Sequence, residues 1–222
     1  MAEDPRHIWD SRYARYGKNR SNLQYDFWLE PLLPLLEKHA RAWILDLGCG
    51  MGCDTEYLTS SGCRVVSADF SNNALKIVRE RIPGAQVVNA DIRSPLPFRA
   101  TAFQSVVANL SLHYFPWQQT VAIIERIRGC LTPGGRLFAR FNSVADPEYP
   151  ENRRHKIDRH YCRVEGVTKR YFSGDDIQEL FLNWEIERLE EREIHRYGFP
   201  KTLWQMAAVR RQSRKTIPLR MT

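Results

Sequence analysis

Short apolar runs alternate with amphipathic stretches along most of this chain, and that alternation predicts the order of its elements. Ala42-Trp43-Ile44-Leu45-Asp46-Leu47 is a compact apolar run stopped by glycines, which reads as a buried strand. Cys63–Ala68, Gln86–Ala90 and Ser105–Leu110 read as three more strands, and Arg136–Phe141 as a fifth after the turn Pro133-Gly134-Gly135. Between them, Ser71 is placed to cap a helix carrying Leu75, Val78 and Ile82 on one face and ending near Pro83-Gly84. Thr120–Leu131 sets Val121, Ile124 and Ile127 at helical spacing. Ser173 followed by Asp176 predicts a capped start for a helix through Ile177, Leu180 and Phe181.

Strands alternating with helices predict a parallel α/β sheet with helices on both faces. The end of the chain breaks the pattern. Trp184–Tyr197 and Thr202–Arg211 are both extended candidates, joined only by Gly198-Phe199-Pro200-Lys201. So short a link holds no crossover helix, so these two strands must be antiparallel. The expectation is a Rossmann-like, seven-stranded, mostly parallel sheet with one antiparallel strand at the C-terminal end.

Composition narrows the class. The 222 residues, 43% hydrophobic and 27% charged, suit one generous globular domain and exclude a disordered or fibrous chain. No apolar run approaches the roughly 18 residues needed to cross a bilayer. The opening MAEDPRHIWD is polar, and Cys49, Cys53, Cys63, Cys130 and Cys162 are an odd, scattered set without a CxxC pair. Together they predict a cytoplasmic chain with reduced thiols, no membrane partner and no metal; His155, His160 and Cys162 lack a fourth ligand. The net charge is +7, of which Val209–Thr222 carries +5 without an acid. The body is therefore nearly neutral, which disfavours nucleic acid as a partner without excluding it. The basic tail is either a solvated terminus or a contact for RNA or an acidic partner.

The candidate chemistry lies in Asp46-Leu47-Gly48-Cys49-Gly50-Met51-Gly52, a strand running into a glycine-rich turn. Glycine allows positive φ and the approach of a ligand without a Cβ in the way. Twenty-one residues after Gly48 comes Asp69, at the end of the second predicted strand. An ionised acid only accepts hydrogen bonds, so a carboxylate there suits the two hydroxyls of a ribose. Turn, strand context and acid together predict a nucleoside-containing cofactor. The glycine spacing is GxGxG, not the GxGxxG of dinucleotide folds.

In these residues the chain resembles the class I S-adenosylmethionine-dependent methyltransferases, the small stand-alone bacterial type in particular, from about Trp9 to Val209. Their first motif is an acid followed by GxGxG. Val65–Ser71 resembles the second motif, Asn89–Ile92 the third, Ala108–Tyr114 the fourth, and Leu131–Gly135 the turn before strand five. The resemblance implies S-adenosylmethionine as cofactor, with S-adenosylhomocysteine as product. It implies Asp46, Gly48, Cys49 and Gly50 around the methionine part, Asp69 on the ribose and Phe70 on the adenine. Asp91 and Ile92 would meet the adenine edge, and Asn109 and Leu110 would lie near the sulfonium. Gly52 and Phe70 have an alternative as packing residues. His113 is the candidate base for a hydroxyl or protonated amine acceptor and Tyr114 its companion; the alternative for both is shaping the pocket.

The same resemblance divides the chain into lid or cap helices over 1–40, a core over 41–211 with an insert at 142–172 near the acceptor pocket, and a basic tail over 212–222. Trp9, Tyr13 and Tyr16 would close over the site or else pack on the domain. Arg153, Tyr161 and Arg170 of the insert would meet the acceptor, and the insert's basic excess suits an anionic small molecule; a solvated surface loop is the alternative. Asn109-Leu110-Ser111-Leu112 stands where family members that act on exocyclic or amide nitrogens carry Asn-Pro-Pro-aromatic. The expected function is methyl transfer to a small-molecule acceptor. A tRNA or protein methyltransferase is the alternative enzyme, and a non-catalytic cofactor-binding partner subunit the alternative of another class.

Overall fold

A computed structural model describes residues 5–16, 25–36, 42–150, 156–164, 166–196 and 199–211. Seven strands form the main sheet: β1 (Trp43–Leu47), β2 (Arg64–Asp69), β3 (Gln86–Asn89), β4 (Phe103–Asn109), β5 (Leu131–Asn142), β9 (Trp184–Arg196) and β10 (Phe199–Arg210). Their order is β3-β2-β1-β4-β5-β10-β9. β1 pairs parallel with β2 and β4, β2 with β3, and β4 with β5. Only β10 is reversed, and it inserts between β5 and β9, pairing antiparallel with both. The short link deduced from sequence thus returns the last strand beside its predecessor and into the sheet.

Five helices connect or flank these strands: α1 (Pro5–Tyr16), α2 (Cys53–Ser60), α3 (Asn72–Arg81), α4 (Trp117–Cys130) and α5 (Gly174–Leu180). Ser71 caps α3 by accepting from the Ala74 N–H. Ser173 and Asp176 form a full capping box on α5. Several elements differ from the sequence pattern: β10 begins at Phe199, not Thr202, so most of the expected link is strand. α4 starts at Trp117, because Pro116 precedes it and sets the entry. β5 already begins at Leu131, pairing with Phe103 ahead of the glycine turn. α2 carries the polar sequence CDTEYLTS, whose periodicity is too weak to read, and it is helical because Leu58 is buried beneath it.

The two faces of the sheet have different chemistry. Leu45, Ala68, Val106, Ala108, Leu137, Ala139, Phe141 and Met206 pack under α4 and α5 in one large core. On the opposite face, Ile44, Val65, Val107, Phe138 and Ala207 meet Leu58 of α2 and the segment Trp28–Leu36, which includes a short 3-10 helix, Glu30–Leu35. The insert, not assigned any strand from sequence, holds a second antiparallel sheet of β6 (Lys156–Asp158), β7 (Tyr161–Val164) and β8 (Val167–Arg170). Among the described residues, no helix is long and apolar enough to cross a membrane.

Candidate functional site

The glycine turn sits at the carboxyl end of β1, with Gly48, Gly50 and Gly52 all at positive φ (+75°, +52° and +80°). Each glycine is needed for a different neighbour. A Cβ on Gly48 would lie 2.4 Å from Cβ of Ser111, whose hydroxyl donates to the Leu47 carbonyl at 2.7 Å. One on Gly50 would lie 2.9 Å from the Tyr13 hydroxyl oxygen, and one on Gly52 2.9 Å from Val78 of α3. Gly52 therefore stands against packed helix, and Gly50 stands against Tyr13 of α1.

Three acids are buried around this turn, at 1% exposure for Asp46, 6% for Asp54 and 5% for Asp69. Asp69 accepts from the Gly50 N–H at 3.0 Å and from the Ser71 N–H at 2.9 Å. Burial raises its pKa, and these backbone donors oppose the rise. Asp46 lies beneath the turn and accepts from the Thr55 hydroxyl at 2.6 Å. Burial, then the nearby Asp54 charge, pushes its carboxyl well above the usual range. Asp54 accepts from Trp28 Nε1 at 2.6 Å and from Asn109 Nδ2 at 2.8 Å; burial raises it, against those donors and Arg140. Cys49 is a buried neighbour, its thiol pushed up by burial and by Asp46. A cationic ligand beside these three buried carboxyl groups would favour their ionised forms, which burial alone opposes.

Another group of residues lies on the β3 side of the turn. Phe70 is half-buried, and its carbonyl accepts from Asn89 Nδ2 at 2.9 Å. Asp91 is paired with the Arg93 guanidinium at 2.6 Å, and Ile92 is buried in the large core. At the end of β4, Asn109 has its amide nitrogen committed to Asp54, and Leu110 adopts φ +53°, the left-handed region that a branched side chain rarely takes. Strained backbone at such a strand end is a common mark of a site.

His113 and Tyr114 follow on the same loop with their rings 4.2 Å apart, and His113 is buried. Trp9 of α1 stacks edge-on against Tyr114 at 5.4 Å and lies 5.8 Å from Tyr13. Asp10 fastens this helix: it accepts from the Ser71 hydroxyl at 2.5 Å and from Asn73 Nδ2 at 2.8 Å at the start of α3. α1 therefore covers the turn and the His113 loop together. The side chain of Tyr16, at the end of α1, and the whole of Arg153 lie outside the described residues.

The insert reaches the same loop from the other side. The Arg170 N–H donates to the His113 carbonyl at 2.6 Å, Arg170 Nε to that of Phe115 at 3.2 Å, and the Tyr161 hydroxyl to that of Tyr114 at 3.2 Å. Arg170 is buried over the Trp117 and Tyr161 rings. These two side chains hold the loop's backbone. The other bases of the insert are partly neutralised locally, Lys169 by Glu148 and Arg159 by Asp176. Among the described residues, no group of three or more His, Cys, Asp or Glu is arranged to hold a metal ion.

Sequence reasoning missed Asp10, Trp28, Asp54 and Ser111. Asp10 and Trp28 come from segments without a motif, and only the fold carries them to the turn; Asp54 follows Gly52 by two residues, in the weakly patterned α2.

Residues 44–135 match the sequence model of a family described as "Methyltransferase domain". Trans-aconitate 2-methyltransferase of Paracidovorax citrulli is 34% identical over 134 residues, 59% of this chain and 49% of that protein. Over residues 44–135 the chain is thus similar to a methyltransferase domain. Carboxy-S-adenosyl-L-methionine synthase of Pseudomonas syringae pv. tomato is 34% identical over 118 residues, 45% of this chain and 46% of that one. The chain thus spans about half the length of several curated relatives it matches. The fold of a methyltransferase from Methanosarcina mazei superposes with a TM-score of 0.73 at 19% identity, over 86% of this chain and 99% of that one.

S-adenosylmethionine is the cofactor that family and fold imply. The residues fit it on chemical grounds. Asp69 presents carboxylate oxygens beside a glycine backbone, as ribose hydroxyls require, and the buried carboxyl groups would be driven toward their ionised forms by a cationic sulfonium.

Proposed function

We propose that this chain methylates a small-molecule acceptor. The observation that carries the reading is Asp69, buried at the carboxyl end of β2 and fixed by the N–H groups of Gly50 and Ser71 beside the glycine turn that Tyr13 covers. When bound, S-adenosylmethionine supplies a methyl group already activated on sulfur, so the reaction asks mainly for alignment and exclusion of water.

This chain's residues have roles to match. Gly48, Cys49 and Gly50 would present backbone to the methionine part, with the Asp46 carboxyl beneath them. Asp69 would hold the ribose, with Phe70, Asp91 and Ile92 around the adenine. Asn109 and Leu110 would border the sulfonium. α1, fastened by Asp10, would exclude water with Trp9, Tyr13 and Tyr16. His113 is placed on the loop past β4 to take a proton from an acceptor that carries one, and Tyr114 shapes the same wall. Tyr161 and Arg170 set that loop's position, with Arg153 from the same insert near the acceptor. The names of the relatives, one acting on trans-aconitate, support a small molecule without fixing which. A cytoplasmic location accords with this reading.

Calorimetric titration with S-adenosylhomocysteine, with NAD as control, tests the proposal. Binding of the first alone is expected, and Asp69→Ala should abolish it while the circular dichroism spectrum stays native. Binding of NAD alone, or undiminished binding by the variant, would overturn the reading.

A further inference from the structure

The outer edge of the main sheet carries an apolar groove. β9 ends the strand order, and among the described residues it is paired with β10 alone. Along its other side runs a groove of about 540 Å³, walled by Phe181 and Leu182 just past α5, by the start of β9 and by Arg211. Consecutive residues of β9, from Trp184 to Leu189, all line it, so it follows the edge of the strand rather than one face. Phe181 belongs to the large core, and Ile186 and Leu189 pack against that core half-buried. Leu182 at the rim is 69% exposed. β9 runs parallel to β5, since both are antiparallel to β10, so its start lies at the end of the sheet opposite the glycine turn. Native proteins blunt or cover such edges, because unpaired backbone beside apolar side chains invites an added strand.

The chain leaves the sheet at this groove. Arg210, the last residue of β10, lies opposite Trp184, the first of β9. Arg211 then lines the groove itself, and its Nη1 donates to the Leu182 carbonyl at 3.5 Å. Residues 212–222 lie outside the described residues, and their sequence has the pattern that the groove asks for. Ile217, Leu219 and Met221 alternate with Thr216, Pro218 and Arg220, the period of a half-buried strand. A proline inside such a run suits an edge position, where its missing N–H faces away from the sheet. Arg214, Lys215 and Arg220 make this stretch purely basic, whereas β9 carries five glutamates against three arginines. The reach is sufficient: crossing the end of β9 takes about 10 Å, two strand spacings, and the four residues 212–215 span about 13 Å when extended.

We propose that the C-terminal segment 216–221 of the same chain lies in this groove as an extended edge segment. Ile217, Leu219 and Met221 then rest against Phe181, Leu182, Ile186 and Leu189, and Arg214 and Lys215 pass the Glu185 end of β9. An extended backbone also brings donors and acceptors to the outer edge of β9, as strand addition does elsewhere. The basic tail thereby closes the sheet instead of standing free as an arm for RNA or an acidic partner. This role is independent of the methyltransferase reading, because the groove lies at the other end of the sheet from the glycine turn.

The test uses the full chain with isoleucine and leucine methyl groups labelled for NMR, at two protein concentrations. Nuclear Overhauser contacts are expected between the methyl groups of Ile217 or Leu219 and those of Leu182, Ile186 or Leu189, equally at both concentrations. Leu182→Asp and Leu219→Asp should each abolish them; Leu182 is exposed, so its substitution leaves the core intact. Each variant should also speed amide exchange over Trp184–Leu189 about tenfold, as a covered edge opens. Each should lower the melting temperature by about 2–8 °C, the loss of one partly buried leucine. The double variant should cost little more than either alone, because the two side chains share one contact. Random-coil methyl shifts for Ile217 and Leu219 in the parent protein would overturn the proposal, as would identical amide exchange in parent and variants. Contacts that vanish on dilution would give the groove to a second copy of the chain and overturn it equally.

Discussion

Gly48 is the position where a single added carbon has the most calculable effect. An alanine there keeps φ at +75°, which costs an L-residue roughly 1–2 kcal/mol. Its Cβ would also lie 2.4 Å from Cβ of Ser111, and relief of such overpacking costs roughly 1–3 kcal/mol. Gly48→Ala should therefore destabilise the protein by about 2–5 kcal/mol. At about 2–4 °C per kcal/mol for a chain of this size, the melting temperature falls by about 4–20 °C. The two contributions separate in a double-mutant cycle. Ser111→Gly alone loses one hydrogen bond to the Leu47 carbonyl, about 1 kcal/mol. In that background Gly48→Ala should cost only the backbone part, leaving a coupling of roughly 1–3 kcal/mol between the two sites. Melting curves followed by circular dichroism for the four proteins give the answer. A Gly48→Ala cost equal in both backgrounds would show that Ser111 does not fill the space, and the account of this glycine would fail.

Ser173→Ala should remove the capping hydroxyl of α5 and lower stability by about 1 kcal/mol, read as a melting shift of about 2–4 °C; no shift would discount the capping box. Asp10→Ala removes the acceptor of Ser71 and Asn73, so amide hydrogen exchange in α1 should accelerate while that of β1 and β4 stays slow; equal protection of α1 in both proteins would deny the latch. The raised Asp46 carboxyl holds its proton further up in pH in the folded chain than in the unfolded one. The folded state thus binds more protons from the ordinary carboxylate range up to the raised value, and the stability contribution falls as pH rises through that window. Asp46→Asn is free of this penalty, so its melting temperature relative to the parent should climb as pH rises above the ordinary carboxylate range. A gap that narrows with that rise would contradict the assignment.

The local pattern determined what local forces control. Ile44-Leu45-Asp46-Leu47 before glycines reads as a buried strand, and a link of at most four residues between the last two strands forces an antiparallel return by its length alone. Ser71 and Ser173 were legible as caps because the hydroxyl and its backbone donor lie within three residues. Asp69 was legible because strand, turn and acid lie within one βαβ unit. Weak periodicity hid α2, and short polar runs hid the sheet of the insert. Neither declares itself until Leu58 or Tyr161 finds a distant apolar partner. The tertiary structure alone decided which polar residues meet. Asp46, Asn109, Arg140 and Gln205 each stand out in sequence as a polar position in an otherwise apolar strand, yet nothing along the chain says that they share a sheet face. Strand order and register do, and they also bring Trp28 and Asp54 over that face and Asp10 onto α3 from 61 residues away. Contacts of that kind depend on long-range pairing, whose loop entropy is repaid only when the whole sheet closes.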